Sequence, residues 1–324
     1  MQVYFDLLIT IGIVGTLLPA GVLYYSAKKR VQSWEYRHKK SIHAFVVLLL
    51  LGTITISYGS FVEPTLLVTH EQTIHIPNIT HPFTIALVSD FQLGPYTKTE
   101  HVTHIVDRIL LLHPDIVMLA GDQLDNTPGD IDETMYITPL SRLIDAGIPV
   151  YAIPGNHEYG IGGKRNSLDS LHFFGDMSKD AERAFKAIGI RYLTNTLVTT
   201  TIHDQEIAFF GGDSYLAEKL SFDVLKDKPQ DIPTIALIHN PGAIWLATKE
   251  DIDLVLSGHT HGGQIRLPFL GPIGRLDEPI PLDWYQGLHQ VDTNTQIFVT
   301  SGTGESGTRA RLFNPPEVAL LTVE

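Results

Sequence analysis

The 324-residue chain is 44% apolar and 18% charged, which provides for a sizeable core and excludes disorder as a description of the whole. It has no cysteine, so disulfides, thiolate zinc sites, iron–sulfur clusters and a cysteine nucleophile are all excluded. The formal charge of −13 is unevenly spread: residues 1–62 hold six Lys/Arg against two acids, and residues 63–324 hold 17 against 34. So acidic a region is a poor partner for nucleic-acid phosphates, and no nucleic-acid partner is expected.

In chain order, residues 7–27 and 41–62 are runs of 21 and 22 residues without Asp, Glu, Lys or Arg. About 20 apolar residues cross a bilayer as helix, so both runs predict membrane-spanning helices and together a hairpin over 1–62. Nothing basic precedes the first run, which argues against a cleavable signal. The 28–40 loop between the runs carries Lys28, Lys29, Arg30, Arg37, Lys39 and Lys40, and the next Lys or Arg is Lys98. The positive-inside rule puts this loop in the cytoplasm. The expected location is the cytoplasmic membrane, with everything after Val62 on the extracytoplasmic side.

Residues 63–80 read as a linker with a short strand near 73–76, and 81–324 as one catalytic-sized domain. Apolar runs at 83–89, 115–120 and 148–153 alternate with helical spacing at 99–112 and 139–146. Further strands are predicted at 207–210, 234–238, 254–256 and 296–299. Strand–helix alternation predicts an α/β fold with parallel pairing.

Ligands in such sheets bind beyond the carboxyl ends of the strands. The residues there are Asp90 and Gln92 in Ser-Asp-Phe-Gln, Asp122 and Asp125 in Gly-Asp-Gln-Leu-Asp, and Asn156, His157 and Glu158 in Gly-Asn-His-Glu. His239 follows in Ile-His-Asn-Pro, then His259 and His261 in Gly-His-Thr-His-Gly-Gly. Each alone is as well explained by a helix cap, a turn or a core histidine. Five strand ends that all deliver carboxylate, amide or imidazole point instead to a metal site, with oxygen and nitrogen donors suited to Mn, Fe, Zn, Ni or Co.

These ordered blocks resemble those of the calcineurin-like metallophosphoesterases over about residues 81–324, and the 301–317 tail resembles the membrane-anchored or exported bacterial branch. The resemblance implies a four-layer α/β/β/α sandwich behind the two-helix transmembrane hairpin. It implies two divalent metal ions that share Asp122. One ion would take Asp90, Gln92 and His261, and the other Asn156, His239 and His259. His157 would stand by the substrate phosphate and protonate the leaving oxygen. The first block usually reads Asp-x-His, and Gln92 replaces that imidazole. A Gln amide oxygen is a weaker donor, so the Asp90 ion is expected to be held more loosely and to be an oxygen-tolerant one such as Mn²⁺.

Asp125 and Glu158 read as supports of the ligands or as turn residues. Arg309 and Arg311 alternate, so an extended segment would point both at a substrate phosphate or headgroup; surface salt bridges fit equally. Phe269-Leu270 and Trp284-Tyr285, between prolines, read as core packing in preference to an apolar lip near lipid. His101 and His104 fall on a polar helix face with no assigned task. The glycine-rich 160–163 stretch reads as a lid or a plain connection.

The function expected is metal-dependent hydrolysis of a phosphomonoester or phosphodiester by metal-activated hydroxide. Tethering makes a lipid or envelope component the expected substrate. The alternatives are a phosphatase or pyrophosphatase on soluble substrates and a non-catalytic metal-binding envelope scaffold.

Overall fold

Along the strand Phe83–Val88, Ile85 and Leu87 face one way and Ala86 and Val88 the other, and all four are buried. A strand buried on both faces needs a layer on each side. The computed structural model, which describes residues 2–324 except 128–130, 163–171, 174, 230–231, 275, 277–278 and 308, supplies them. One six-stranded sheet runs in spatial order Val68–Ile74, Glu317–Val323, Phe83–Val88, Ile116–Leu119, Val150–Ala152 and Arg191–Tyr192. Its pairings are parallel except that of Glu317–Val323 with Phe83–Val88.

The second sheet runs Gly287–Gln290, Gln296–Val299, Leu254–Ser257, Thr234–Leu237, Gln205–Gly211 and Thr196–Ile202. Its four central strands are parallel, with an antiparallel strand at each edge. Between the sheets lies a core that includes Ile85, Leu87, Met118, Tyr151, Phe209, Leu237, Leu256 and Phe298. Outside the first sheet, helix Thr99–Leu112 buries Val102, Ile105, Val106 and Ile109, the spacing of one helical face, against Glu133–Leu140, which also meets Ser178–Ala187. Outside the second, the short segment Ile244–Ala247 packs with Ile238, Val255 and Val299. The fold is the expected α/β/β/α sandwich.

One stretch departs from the reading above. Residues 63–80 are not all linker: Val68–Ile74 is an edge strand, paired residue for residue with Glu317–Val323. Its polar sequence, Val-Thr-His-Glu-Gln-Thr-Ile, is half solvated and draws its register from a partner about 250 residues away.

Two helices long and apolar enough to cross a membrane precede the sandwich, Gln2–Lys29 and Lys39–Phe61. They are antiparallel. Thr16 and Thr53 share a hydrogen bond of 2.7 Å between hydroxyls, and Gly12 admits Ile56 to close approach. Most of their apolar side chains face outward, unlike those of a buried core helix. The end of the hairpin away from the basic loop is bound to the sandwich. Arg309 Nη1 lies 3.1 Å from Asp6 Oδ1, the Arg311 N–H donates to Gly59 O at 2.8 Å, and the Asn314 N–H donates to Glu63.

Candidate metal centre

The predicted site residues follow directly on five parallel strands. Asp90 and Gln92 come after Phe83–Val88, Asp122 after Ile116–Leu119, and Asn156 and His157 after Val150–Ala152. His239 comes after Thr234–Leu237, and His259 and His261 after Leu254–Ser257. Six of the eight are buried, and His157 and His259 are partly so. Unpaired buried polar groups are costly, so such a collection requires partners or a ligand.

The backbone is bent to bring them together. Asp90, Gln92, Asp122, His259 and His261 all sit in the left-handed region, with φ of 55°, 50°, 50°, 68° and 49°. Each costs on the order of 1–3 kcal/mol in a residue with a Cβ, a strain that clusters at functional sites. Glycines allow the loops to touch: a Cβ on Gly155 would lie 2.1 Å from Asp122 Oδ1, and one on Gly258 would lie 2.6 Å from Asp90 Oδ2. Side chains at those positions would displace the carboxylates.

Around Asp122, His239 Nε2 lies 3.0 Å from Oδ2, and the ligand atoms of Asp122, His239 and His259 are all within 4.8 Å of one another. Around Asp90, His261 Nε2 lies 3.5 Å from Oδ1. The two groups adjoin, since His239 Nε2 is also 4.0 Å from Asp90 Oδ1 and Gln92 Nε2 is 3.3 Å from Asp122 Oδ2. Within the site the buried oxygens Gln92 Oε1 and Asn156 Oδ1 have no hydrogen-bond partner, and His239 Nε2 has no well-aligned hydrogen bond and only the Asp122 carboxylate, 3.0 Å away, as a close neighbour. All three are donor atoms suited to a divalent cation. The imidazoles are oriented through their other nitrogens, His239 Nδ1 at 2.6 Å from Ala120 O and His261 Nδ1 at 3.3 Å from Gly304 O. The residues present fit a metal.

The electrostatics agree with that fit. Burial would raise the Asp122 carboxyl, but the charges of His239 and His157 outweigh it and hold the group well below the usual carboxylate range. Burial disfavours protonated His239, yet Asp122 and Asp90 push it up to about 10. His261 is lowered to about 4, mainly by burial. His157 is raised: Asp122 and Asp125 overcome its burial. Its Nδ1 lies 2.9 Å from Asp125 O, while its Nε2, 3.9 Å from Asp122 Oδ2, is on the metal-site side. A proton held on Nε2 there is suitable for transfer to a leaving oxygen.

Glu158 supports the site from behind. Its carboxylate accepts the N–H groups of Asp122, Leu124 and Gly155 at 3.2, 3.0 and 2.7 Å. Burial and the Asp122 charge push it up to about 7, against the pull of those N–H groups. Asp125 accepts from Thr127 Oγ1 at 2.9 Å and has its Oδ1 3.7 Å from His157 Nδ1.

Arg311 requires a correction. It does not face a substrate: its side chain is fully buried and donates to the carbonyls of Ser301, Gly302, Gly304 and Asn314. The segment is an irregular loop, so Arg309 and Arg311 do not share a face. Arg309 instead stacks 3.8 Å above the Tyr96 ring and reaches Asp6. It lines a cavity of about 220 Å³ between the helical hairpin and the 303–305 loop. His101 lines that cavity too, with no partner at Nε2 and burial holding it down to about 4, so it is not on an open polar face.

Sequence reasoning missed the loop behind Asp90. Glu317 accepts Thr300 Oγ1 at 2.8 Å and the Ser301 N–H at 2.9 Å, and a Cβ on Gly302 would meet Asp90 Cβ at 2.8 Å. The signal available was Gly-Thr-Gly ahead of an arginine in an otherwise acidic domain. Of the 160–163 stretch, Gly163 lies outside the described residues; Ile161–Gly162 forms a two-residue strand against His172–Phe173.

The fold and this donor set define a metal-dependent phosphoester hydrolase. Residues 83–263, more than half of the chain, match the Calcineurin-like phosphoesterase family, and the chain belongs to that family. It is 28% identical over 272 residues to the metallophosphoesterase YkuE of Bacillus subtilis, covering 82% of this chain and 89% of that one. A Campylobacter jejuni metallophosphoesterase is 30% identical over 255 residues, 78% of this chain and 62% of that protein. A Danio rerio transmembrane protein with metallophosphoesterase domain is 27% identical over 343 residues, 100% of this chain and 72% of that protein. Relatives thus occur among both bacteria and eukaryotes.

Proposed function

We propose that this chain is a membrane-held phosphoesterase whose two divalent ions share Asp122 and whose substrate is a phosphoester of a lipid or envelope component. The observation that carries the reading is the convergence of five strand ends on one cluster, Asp122, His239 and His259 at its centre, with two buried oxygens, Gln92 Oε1 and Asn156 Oδ1, left without partners. Asp90, Gln92 and His261 would hold one ion, and Asn156, His239 and His259 the other. Bound there, the ions would supply charge neutralisation at the phosphate and lower the pKa of a water. Asp122 and Asp90 set the field that draws the cations in. His157, held by Asp125 O, gives its Nε2 proton to the leaving oxygen. The orphaned Gln92 oxygen supports its service as a ligand despite the missing imidazole, with Mn²⁺ the best-suited ion at that position.

Membrane placement is supported by the two apolar helices and by relatives named as transmembrane proteins. The basic 28–40 loop stands at the end of the hairpin away from the sandwich, which supports a cytoplasmic loop and an extracytoplasmic catalytic domain. The test is hydrolysis by the full chain in detergent with Mn²⁺, on dispersed phospholipid and on bis(p-nitrophenyl) phosphate, with protease shaving of intact cells. Activity on lipid and shaving of residues 63–324 are expected. Hydrolysis of the nitrophenyl ester alone would remove the lipid clause, and a protected domain would reverse the topology.

A further inference from the structure

The hairpin Arg266–Leu267 / Gly271–Pro272 projects apolar side chains into solvent. Phe269 is 108% exposed, Leu270 78%, Ile273 60%, and the neighbouring Phe313 61%. Exposed apolar residues scattered singly need no explanation, but four on adjoining segments are an unpaired surface. The reading of Phe269-Leu270 as core packing is therefore corrected. Of the two pairs flanked by prolines, only Trp284-Tyr285 is inside: Tyr285 is buried, and Trp284 packs against the second sheet's outer cluster.

The surface is tied to the end of the helical hairpin. Ile265 bridges to Leu312, and Arg266 N–H and Leu312 N–H donate to Leu312 O and Gln264 O at 2.9 and 3.0 Å. One residue further, Arg311 N–H is bonded to Gly59 O in the last turn of the helix Lys39–Phe61. Phe269 is four residues from Ile265, and an extended chain covers about 3.3 Å per residue, so the tip stays within roughly 25 Å of the helix end. Phe61, Val62 and Leu66 are exposed at that same end. The hairpin is thus held within reach of the apolar end of the two helices, and aromatic side chains are favoured where such helices leave a membrane.

We propose that the 266–273 hairpin and Phe313 form a lip that enters the bilayer interface beside the membrane helices. The proposal rests on the reading of residues 1–62 as membrane-spanning and deepens the lipid clause of the function. The lip is an extension of the metal-site segment: Arg266 Nη1 donates to Gly262 O at 2.8 Å, and Gly262 follows His261 directly. A phosphoester leaving the bilayer at this lip meets the segment that carries His259 and His261.

The chain has no cysteine, so single labels can be placed without background. The full-length protein is reconstituted in vesicles of phosphatidylethanolamine and phosphatidylglycerol, with a nitroxide on Phe269→Cys, on Leu48→Cys in the spanning helix or on the solvent-exposed Glu206→Cys. Accessibility to oxygen and to a water-soluble nickel chelate is then read by power saturation. The expected result is an oxygen-to-nickel ratio at position 269 several-fold above that at 206 and approaching that at 48. A ratio at 269 equal to that at 206, with 48 still shielded, overturns the lip and leaves the membrane helices standing. A wet label at 48 overturns the membrane reading and the lip with it. In a second arm the label is on Ile273→Cys and Phe269→Asp and Leu270→Asp are added, both at exposed positions. Loss of the high ratio at 273 is expected, and its persistence would show that apolar insertion is not what seats the hairpin.

Discussion

The metal centre and the 266–273 hairpin invert the burial rule in opposite directions. At the centre, Asp90, Asp122, Asn156 and His239 are shut inside with less than 3% exposure, while at the hairpin Phe269 and Leu270 are wholly or largely in solvent. Both are costly arrangements that the sandwich alone does not require. On the reading proposed above, the cost in each place is offset by something outside the chain: cations at one, lipid at the other. The residues that break a folding rule are the ones that show where the protein acts.

This comparison can be broken by substitution, most severely at the centre. Asp122→Asn removes the shared carboxylate, and phosphodiester hydrolysis with Mn²⁺ should fall below detection in a folded protein, checked by steady-state rates beside circular dichroism. His157→Ala should lower kcat by about 10²–10⁴-fold, the range for a lost general acid. Metal content by mass spectrometry should stay unchanged, and a variant that also lost its ions would make His157 a ligand.

Glu158→Gln tests whether the support behind Asp122 matters, because a neutral amide accepts three N–H groups poorly. Metal affinity should weaken by roughly 10–100-fold, as for other ligand-orienting partners. Calorimetric titration with Mn²⁺ measures it, and unaltered affinity would reduce Glu158 to a turn former.

The smallest effect lies behind Asp90, where Glu317 Oε2 meets His70 Nδ1 at 3.2 Å. Burial raises the Glu317 carboxyl, but hydrogen bonds from His70 and Ser301 prevail and leave it below its usual 4.5. Its stabilisation is present above pH 4.5 and is lost as pH falls through the lower folded value. His70 is raised above 6.5 by its hydrogen bond to Glu317, against partial burial. That contribution is present below pH 6.5 and is lost as pH rises through the raised folded value. The pair therefore contributes most between those limits, and Glu317→Gln should cost ~1 kcal/mol there. Thermal melts across pH 4–9 should show the gap between wild type and variant widest at pH 5–6. A gap constant with pH would remove the ion pair from the account.

Much of the sandwich was legible because its signals are local. The helix at 99–112 falls on its apolar spacing, and the strand at 296–299 on its apolar run. The candidate site residues were legible as a set because each of five short apolar runs ends in polar groups. What escaped depends on distant partners. Val68–Ile74 is polar and becomes a strand only through Glu317–Val323. Arg311 looked like a surface cation, yet the 301–314 loop folds around it and spends its guanidinium on four carbonyls. Phe269 looked like core because an apolar pair says nothing of which side of a loop it occupies.

The central claim is that two ions sit astride Asp122, and anomalous diffraction from crystals grown with Mn²⁺ tests it most directly. Two manganese peaks about 3.5–4 Å apart are predicted, one beside Asp90, Gln92 and His261 and the other beside Asn156, His239 and His259. An absence of peaks at Asp122 in an enzyme that still hydrolyses phosphodiesters would contradict the account.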